Sequence, residues 1–84
     1  MSYRLARGVR LHRDGDGASV LLVPEGIVSL NQSAAETLAL VDGGRDAGAI
    51  ARALAERFEA LPAELESDVR TLLDDFVMRG YVVR

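Results

Sequence analysis

Few side chains in this sequence are of a kind that does chemistry, and their spacing argues against it. His12 is the one histidine and there is no cysteine, so neither a metal site nor a proton-relay triad has the partners it needs. Asp14-Gly-Asp16-Gly17 resembles the opening of a calcium loop, but the later ligands and the closing glutamate are missing. Two Asp-Gly pairs in a row mark a hairpin turn instead. Asp74 and Asp75 are adjacent, so on a helix they point about 100° apart and cannot act as a paired acid and base. Ser33 could be imagined as the attachment point of a phosphopantetheine arm. The Asp-Ser-Leu of such carriers is absent, because Gln32 precedes it and Ala34 follows. A helix-capping role explains this serine without a cofactor. The chemistry left to this chain is binding, without catalysis, metal or cofactor.

The elements that would carry a binding surface follow from patterning. The chain has 84 residues, which suits one domain spanning 1–84, and 49% of them are hydrophobic, enough to exclude disorder. No apolar run approaches the roughly 20 residues of a membrane span, and the start lacks the apolar core of a signal peptide. The expected location is the cytoplasm, with no membrane partner.

Val9 and Leu11 alternate with Arg10 and His12, which predicts a half-buried strand. "RDGDGA" (Arg13–Ala18) predicts the hairpin, "SVLLVP" a second strand ended by Pro24, and Ile27–Leu30 a third strand after the turn "PEG". Asn31 and Ser33 are both good N-caps, and Ser33-Ala-Ala-Glu36 fits the capping box. The first helix buries Ala34, Leu38 and Val41 and is expected to stop at "DGG" (Asp42–Gly44). Asp46 caps a second helix with Ile50, Leu54 and Phe58 at every fourth position. A third helix follows the break at Leu61 and Pro62. It carries the stripe Leu65, Val69, Leu72, Leu73, Phe76 and Val77, and Gly80 closes it. "YVVR" is left for a last short strand or wing. The expected fold is α+β: a small winged helix-turn-helix-like domain, a three-stranded antiparallel sheet followed by three helices.

Helices of this kind invite a comparison with DNA-binding proteins. The candidate recognition helix carries Glu64, Glu66, Asp68, Asp74 and Asp75 against Arg70 and Arg79, and phosphates would be repelled. An arm bearing Arg4, Arg7, Arg10 and Arg13 gives only weak, salt-sensitive contacts. The unguarded third strand offers more. Ile27, Val28 and Leu30 carry no charge or proline to blunt an edge, so an extended peptide can add there as a further strand. Ladder hydrogen bonds at about 1 kcal/mol net each barely meet the roughly 2–5 kcal/mol cost of ordering a peptide. Apolar side chains must therefore be buried too, at about 1.5–3 kcal/mol apiece. The third helix can supply that wall: from Val69, the residues Leu73, Val77 and Arg70 turn progressively toward one flank. On this reading Val28→Pro weakens peptide binding more than folding. The same open edge allows two copies to pair or exchange segments, so a monomer or a weak or swapped homodimer is expected.

"LARGVRL", "VLLVPEGIVSLNQSAAETLALVDG", "IARALAERF" and "ESDVRTLLDDFVMRGYV", in this order over nearly the whole chain, resemble the PqqD family of pyrroloquinoline quinone biosynthesis. The resemblance implies a peptide chaperone of the class called RiPP recognition elements, after the ribosomally made, modified peptides whose leaders they bind. It would hold the precursor PqqA between the third strand and the third helix and present it to PqqE. That radical S-adenosylmethionine enzyme brings its own iron–sulfur clusters and crosslinks a glutamate and a tyrosine of the peptide. By position, the resemblance implies a strand wall of Gly26, Ile27, Val28, Ser29 and Leu30 and a helix wall of Val69, Arg70, Leu73 and Val77. Similar domains serve lasso-peptide and other peptide-modification pathways, which leaves those as the alternative. A nucleic-acid-binding winged helix is the more distant one.

Overall fold

The computed structural model describes residues 2–14 and 18–84. The elements run β1 (Arg4–Leu5), β2 (Arg10–Arg13), β3 (Ser19–Val23), β4 (Gly26–Leu30), α1 (Gln32–Leu38), α2 (Ala47–Phe58), α3 (Pro62–Met78) and β5 (Val82–Val83). The expected fold class holds, an antiparallel sheet of three strands in the order β2-β3-β4 followed by three helices. Beyond the expected elements, β1 pairs antiparallel with β5 through Arg4↔Val83 and Leu5↔Val82. Two residues are too few to show a period, so nothing in the pattern announces such a ribbon.

The turn expected between the first two predicted strands falls at Gly15–Gly17, outside the described residues. Its flanks are in register, Arg13↔Ser19 through Arg10↔Leu22, and the Asp14 N–H donates to the Ala18 carbonyl at 3.0 Å. β3 returns to β4 through the two residues Pro24 and Glu25, with Val23↔Gly26 as the first pair. Pro24 has no N–H to offer a ladder and sits in the turn. Gly26 has φ +150°, which side-chain-bearing residues rarely adopt.

Leu21 of the central strand, Ile50 of α2 and Leu73 of α3 are wholly buried and hold sheet and helices together. α1 packs on β3 and β4, and α2 on α3. The helix ends show why the segments stop where they do. Asp46 caps α2 as expected, accepting from the Ala49 N–H at 2.8 Å. Pro62 occupies the first turn of α3. At the other end Gly80 has φ +83°, its N–H donates to Val77 and the Tyr81 N–H donates to Phe76. The Phe76 and Tyr81 rings meet edge-on at 6.2 Å, completing a Schellman stop that turns the chain into β5.

The first helix uses one of its two expected caps and loses the expected capping box. Asn31, with extended backbone directly after β4, is the cap and accepts from the Ala34 N–H at 2.8 Å. Ser33 is therefore already helical, and no Ser33–Glu36 capping box forms. Glu36 is buried instead. Its carboxylate takes Arg13 of β2 at 2.5 Å on one oxygen and Arg57 of α2 on the other. The Arg13 hydrogen bond, helped by the charge of Arg57, holds the Glu36 carboxyl below its ordinary value despite its burial. α1 also ends before Asp42–Gly44, its last carbonyls taken by the N–H groups of Leu40 and Val41. Among the described residues, no helix is long and apolar enough to cross a membrane.

Candidate functional site

The predicted third strand is β4, and among the described residues it pairs with β3 alone. Hydrogen-bonded and non-hydrogen-bonded pairs alternate in an antiparallel ladder. A two-residue turn makes Val23↔Gly26 a hydrogen-bonded pair, so Leu21↔Val28 and Ser19↔Leu30 are hydrogen-bonded as well. The backbone groups of Ile27 and Ser29 therefore point away from the sheet. Two N–H donors and two carbonyl acceptors line the free side. Side chains alternate in step: Val28 and Leu30 pack against the core, while Ile27 is 67% exposed and Ser29 is exposed. The amide of Val28 faces β3, so Val28→Pro strikes the fold rather than the free edge. The expectation attached to it is withdrawn in favour of Ile27 and Ser29.

α1 follows β4 after a single residue and forms part of an apolar cavity of about 320 Å³. Ser33 and Thr37 line it from α1, Leu54 and Phe58 from α2, and Leu65, Asp68, Val69 and Leu72 from α3. The Thr37 hydroxyl donates to the Ser33 carbonyl at 2.8 Å, and among the described residues Asp68 is the one charged group lining the cavity. Phe58, 45% exposed, and Leu61, 65% exposed one turn before Leu65, extend the apolar surface. Glu59, the only described non-glycine residue with positive φ (51°), turns the chain between them.

The helix wall expected from the sequence divides here. Measured from Val69 about the axis of α3, Leu65, Leu72 and Asp68 lie at about −40°, −60° and −100°, whereas Leu73, Val77 and Arg70 lie at about +40°, +80° and +100°. Val69 belongs to the apolar cavity and Leu73 is wholly buried in the core. Arg70 lies on the other flank, paired with Glu66 at 2.7 Å, and Val77 is half-buried on that flank. A larger cavity of about 470 Å³ opens there, lined by Tyr3, Arg52, Glu66, Arg70, Asp74 and Arg84 among others. It is polar, with Arg84 on Asp74 at 2.6 Å, and it opens toward the β1–β5 ribbon rather than toward α1. Leu65 and Leu72 were already in the apolar stripe of the sequence. Which flank would meet α1 depends on how the helices cross, and a one-dimensional pattern does not carry that.

A family model described as Coenzyme PQQ synthesis protein D (PqqD) matches residues 18–82. The chain is similar to the PqqA binding protein of Pseudomonas paraeruginosa, 48% identical over 83% of this chain and 76% of that protein. Among solved structures it is similar to the PqqD truncation of Methylobacterium extorquens PqqCD, described as a functional, stand-alone RiPP recognition element. That match has a TM-score of 0.83 and 36% identity, covering 98% of this chain and 88% of that one. Lasso peptide synthetase B1 complexed with the leader peptide has a TM-score of 0.80 over 100% of both chains; at 22% identity, that likeness is one of fold.

Proposed function

This chain belongs to the PqqD family, and from that premise we propose that it is a non-catalytic peptide chaperone that binds the precursor PqqA as a fourth strand on β4. The observation that carries this reading is the open backbone of Ile27 and Ser29 on a strand that leads, through one residue, into α1, which lines the apolar cavity with Ser33 and Thr37. The two features complement each other energetically. Four edge hydrogen bonds contribute about 1 kcal/mol each, roughly what ordering the peptide costs. Burying large apolar peptide side chains in the cavity adds about 1.5–3 kcal/mol apiece and makes binding favourable. Relatives named for PqqA binding support PqqA as the peptide.

The same reading has the bound peptide presented to PqqE in the cytoplasm. A peptide added to β4 keeps its far edge and outer face in solvent, so an enzyme can engage it while it is held. On this reading the chemistry belongs to that enzyme. Titrating ¹⁵N-labelled protein with PqqA peptide is expected to shift the amides of residues 26–30 and those of Leu65, Asp68, Val69 and Leu72. Shifts confined to β2 and the arginines before it would overturn strand addition at β4. In a reconstituted reaction, crosslinking of PqqA by PqqE is expected to depend on this chain, and equal rates without it would overturn the presenting role.

A further inference from the structure

The two flanks of α3 differ in how their charges are matched. On the polar flank Glu66 holds Arg70 and Asp74 holds Arg84. On the cavity flank Asp68 has no hydrogen bond or ion pair among the described residues, and neither has the side chain of Glu64 one turn earlier. Like charges four residues apart on a helix cost a few tenths of a kcal/mol. Among the described residues no arginine lines this cavity to offset that cost. An apolar side chain filling the cavity would displace water from its mouth and strengthen the field of Asp68 there.

Resting on strand addition at β4, we infer that Asp68 is a specificity-determining residue, and that the accepted peptide carries a lysine or arginine beside the apolar side chain that fills the cavity. Leu54, Phe58, Leu65, Val69 and Leu72 select the apolar side chain, and Asp68 at the rim selects the cation. A peptide with acidic residues at that point is rejected. A second copy of this chain brings Gly26–Leu30, an uncharged segment, and does not satisfy Asp68.

The test titrates the full chain and its Asp68→Asn variant with PqqA peptide and with the same peptide carrying glutamine for every lysine and arginine. Asp68 is exposed, so the variant keeps its fold. Asp68→Asn is expected to weaken PqqA binding about threefold to tenfold. The glutamine peptide loses as much on the wild type and little more on the variant, and added salt narrows the difference. Affinities within twofold of each other, with Ile27 and Ser29 amides still shifting, overturn the role of Asp68 and leave strand addition standing. If PqqA moves neither of those amides in the wild type, strand addition fails and the role of Asp68 falls with it.

Discussion

The three-stranded sheet has two outer edges, and they are built differently on the same central strand. β2 presents Arg10, Leu11, His12 and Arg13, with outward backbone groups at Leu11 and Arg13 by the same alternation that frees Ile27 and Ser29 on β4. Arginines and a histidine guard β2, and Arg13 is tied to buried Glu36. β4 presents Gly26, Ile27, Val28, Ser29 and Leu30 with no charge and no proline inside the strand. Both edges offer hydrogen bonds, so the backbone does not set them apart. Side-chain charge and the neighbouring cavity do. Proteins ordinarily guard an exposed edge against association. Here one edge is guarded by cations, and the other is left unguarded on the strand that runs into α1, which lines a place to bury apolar side chains.

The comparison breaks most sharply with proline at an outward position. Ser29→Pro removes a donor from the free side of β4 and is expected to weaken PqqA binding about tenfold to hundredfold while the protein stays folded. Leu11→Pro, the equivalent change on β2, is expected to leave affinity within about twofold. Calorimetric titration of both variants decides whether the edges differ as described.

Next in size is the anchor of the guarded side. Glu36→Gln is expected to lower unfolding free energy by about 1–3 kcal/mol at neutral pH, since one of the two arginine hydrogen bonds is lost and the other is weakened by loss of the carboxylate charge. The sign of its pH dependence follows from a folded-state carboxyl held below the ordinary 4.5. Its stabilisation is complete above that value and is lost as the pH falls through it toward the lower folded value. Denaturant unfolding over this range should therefore show a steeper acid loss in the wild type than in Glu36→Gln. Equal slopes would assign the acid loss to other groups.

A smaller effect comes from guarding the open edge as β2 is guarded. Ile27→Lys is expected to weaken PqqA binding about twofold to fivefold and to suppress any concentration-dependent self-association seen by sedimentation. Smallest is Glu59→Gly beside the cavity. It relieves a left-handed residue and is expected to raise stability by up to about 1 kcal/mol without changing affinity.

Much of this was legible beforehand where local chemistry decides. The alternation at Val9–His12, the Asp46 cap, Pro62 at the start of α3 and the Gly80 stop each depend on a few neighbouring residues. What was not legible depends on distant contacts. The β1–β5 ribbon joins residues from opposite ends of the chain. The capping box Ser33–Glu36 lost because Asn31 starts the helix earlier and two remote arginines claim the carboxylate. β4 was recognisable as unguarded from its composition. That Ile27 and Ser29, rather than Val28, face outward required the register of the hairpin. Which flank of α3 meets α1 was not legible either, because the sequence gives angles about an axis but not how the helices cross.

The central claim is that a peptide adds to β4 through the outward groups of Ile27 and Ser29. Amide hydrogen exchange, residue by residue, with and without PqqA peptide, tests it most directly. In the free protein Val28 and Leu30 should be protected and Ile27 and Ser29 exchange fast. With peptide, Ile27 and Ser29 should slow markedly while Leu11 and Arg13 stay as they were. Unchanged exchange at Ile27 and Ser29 in the saturated complex, or new protection at Leu11 and Arg13, would contradict the account.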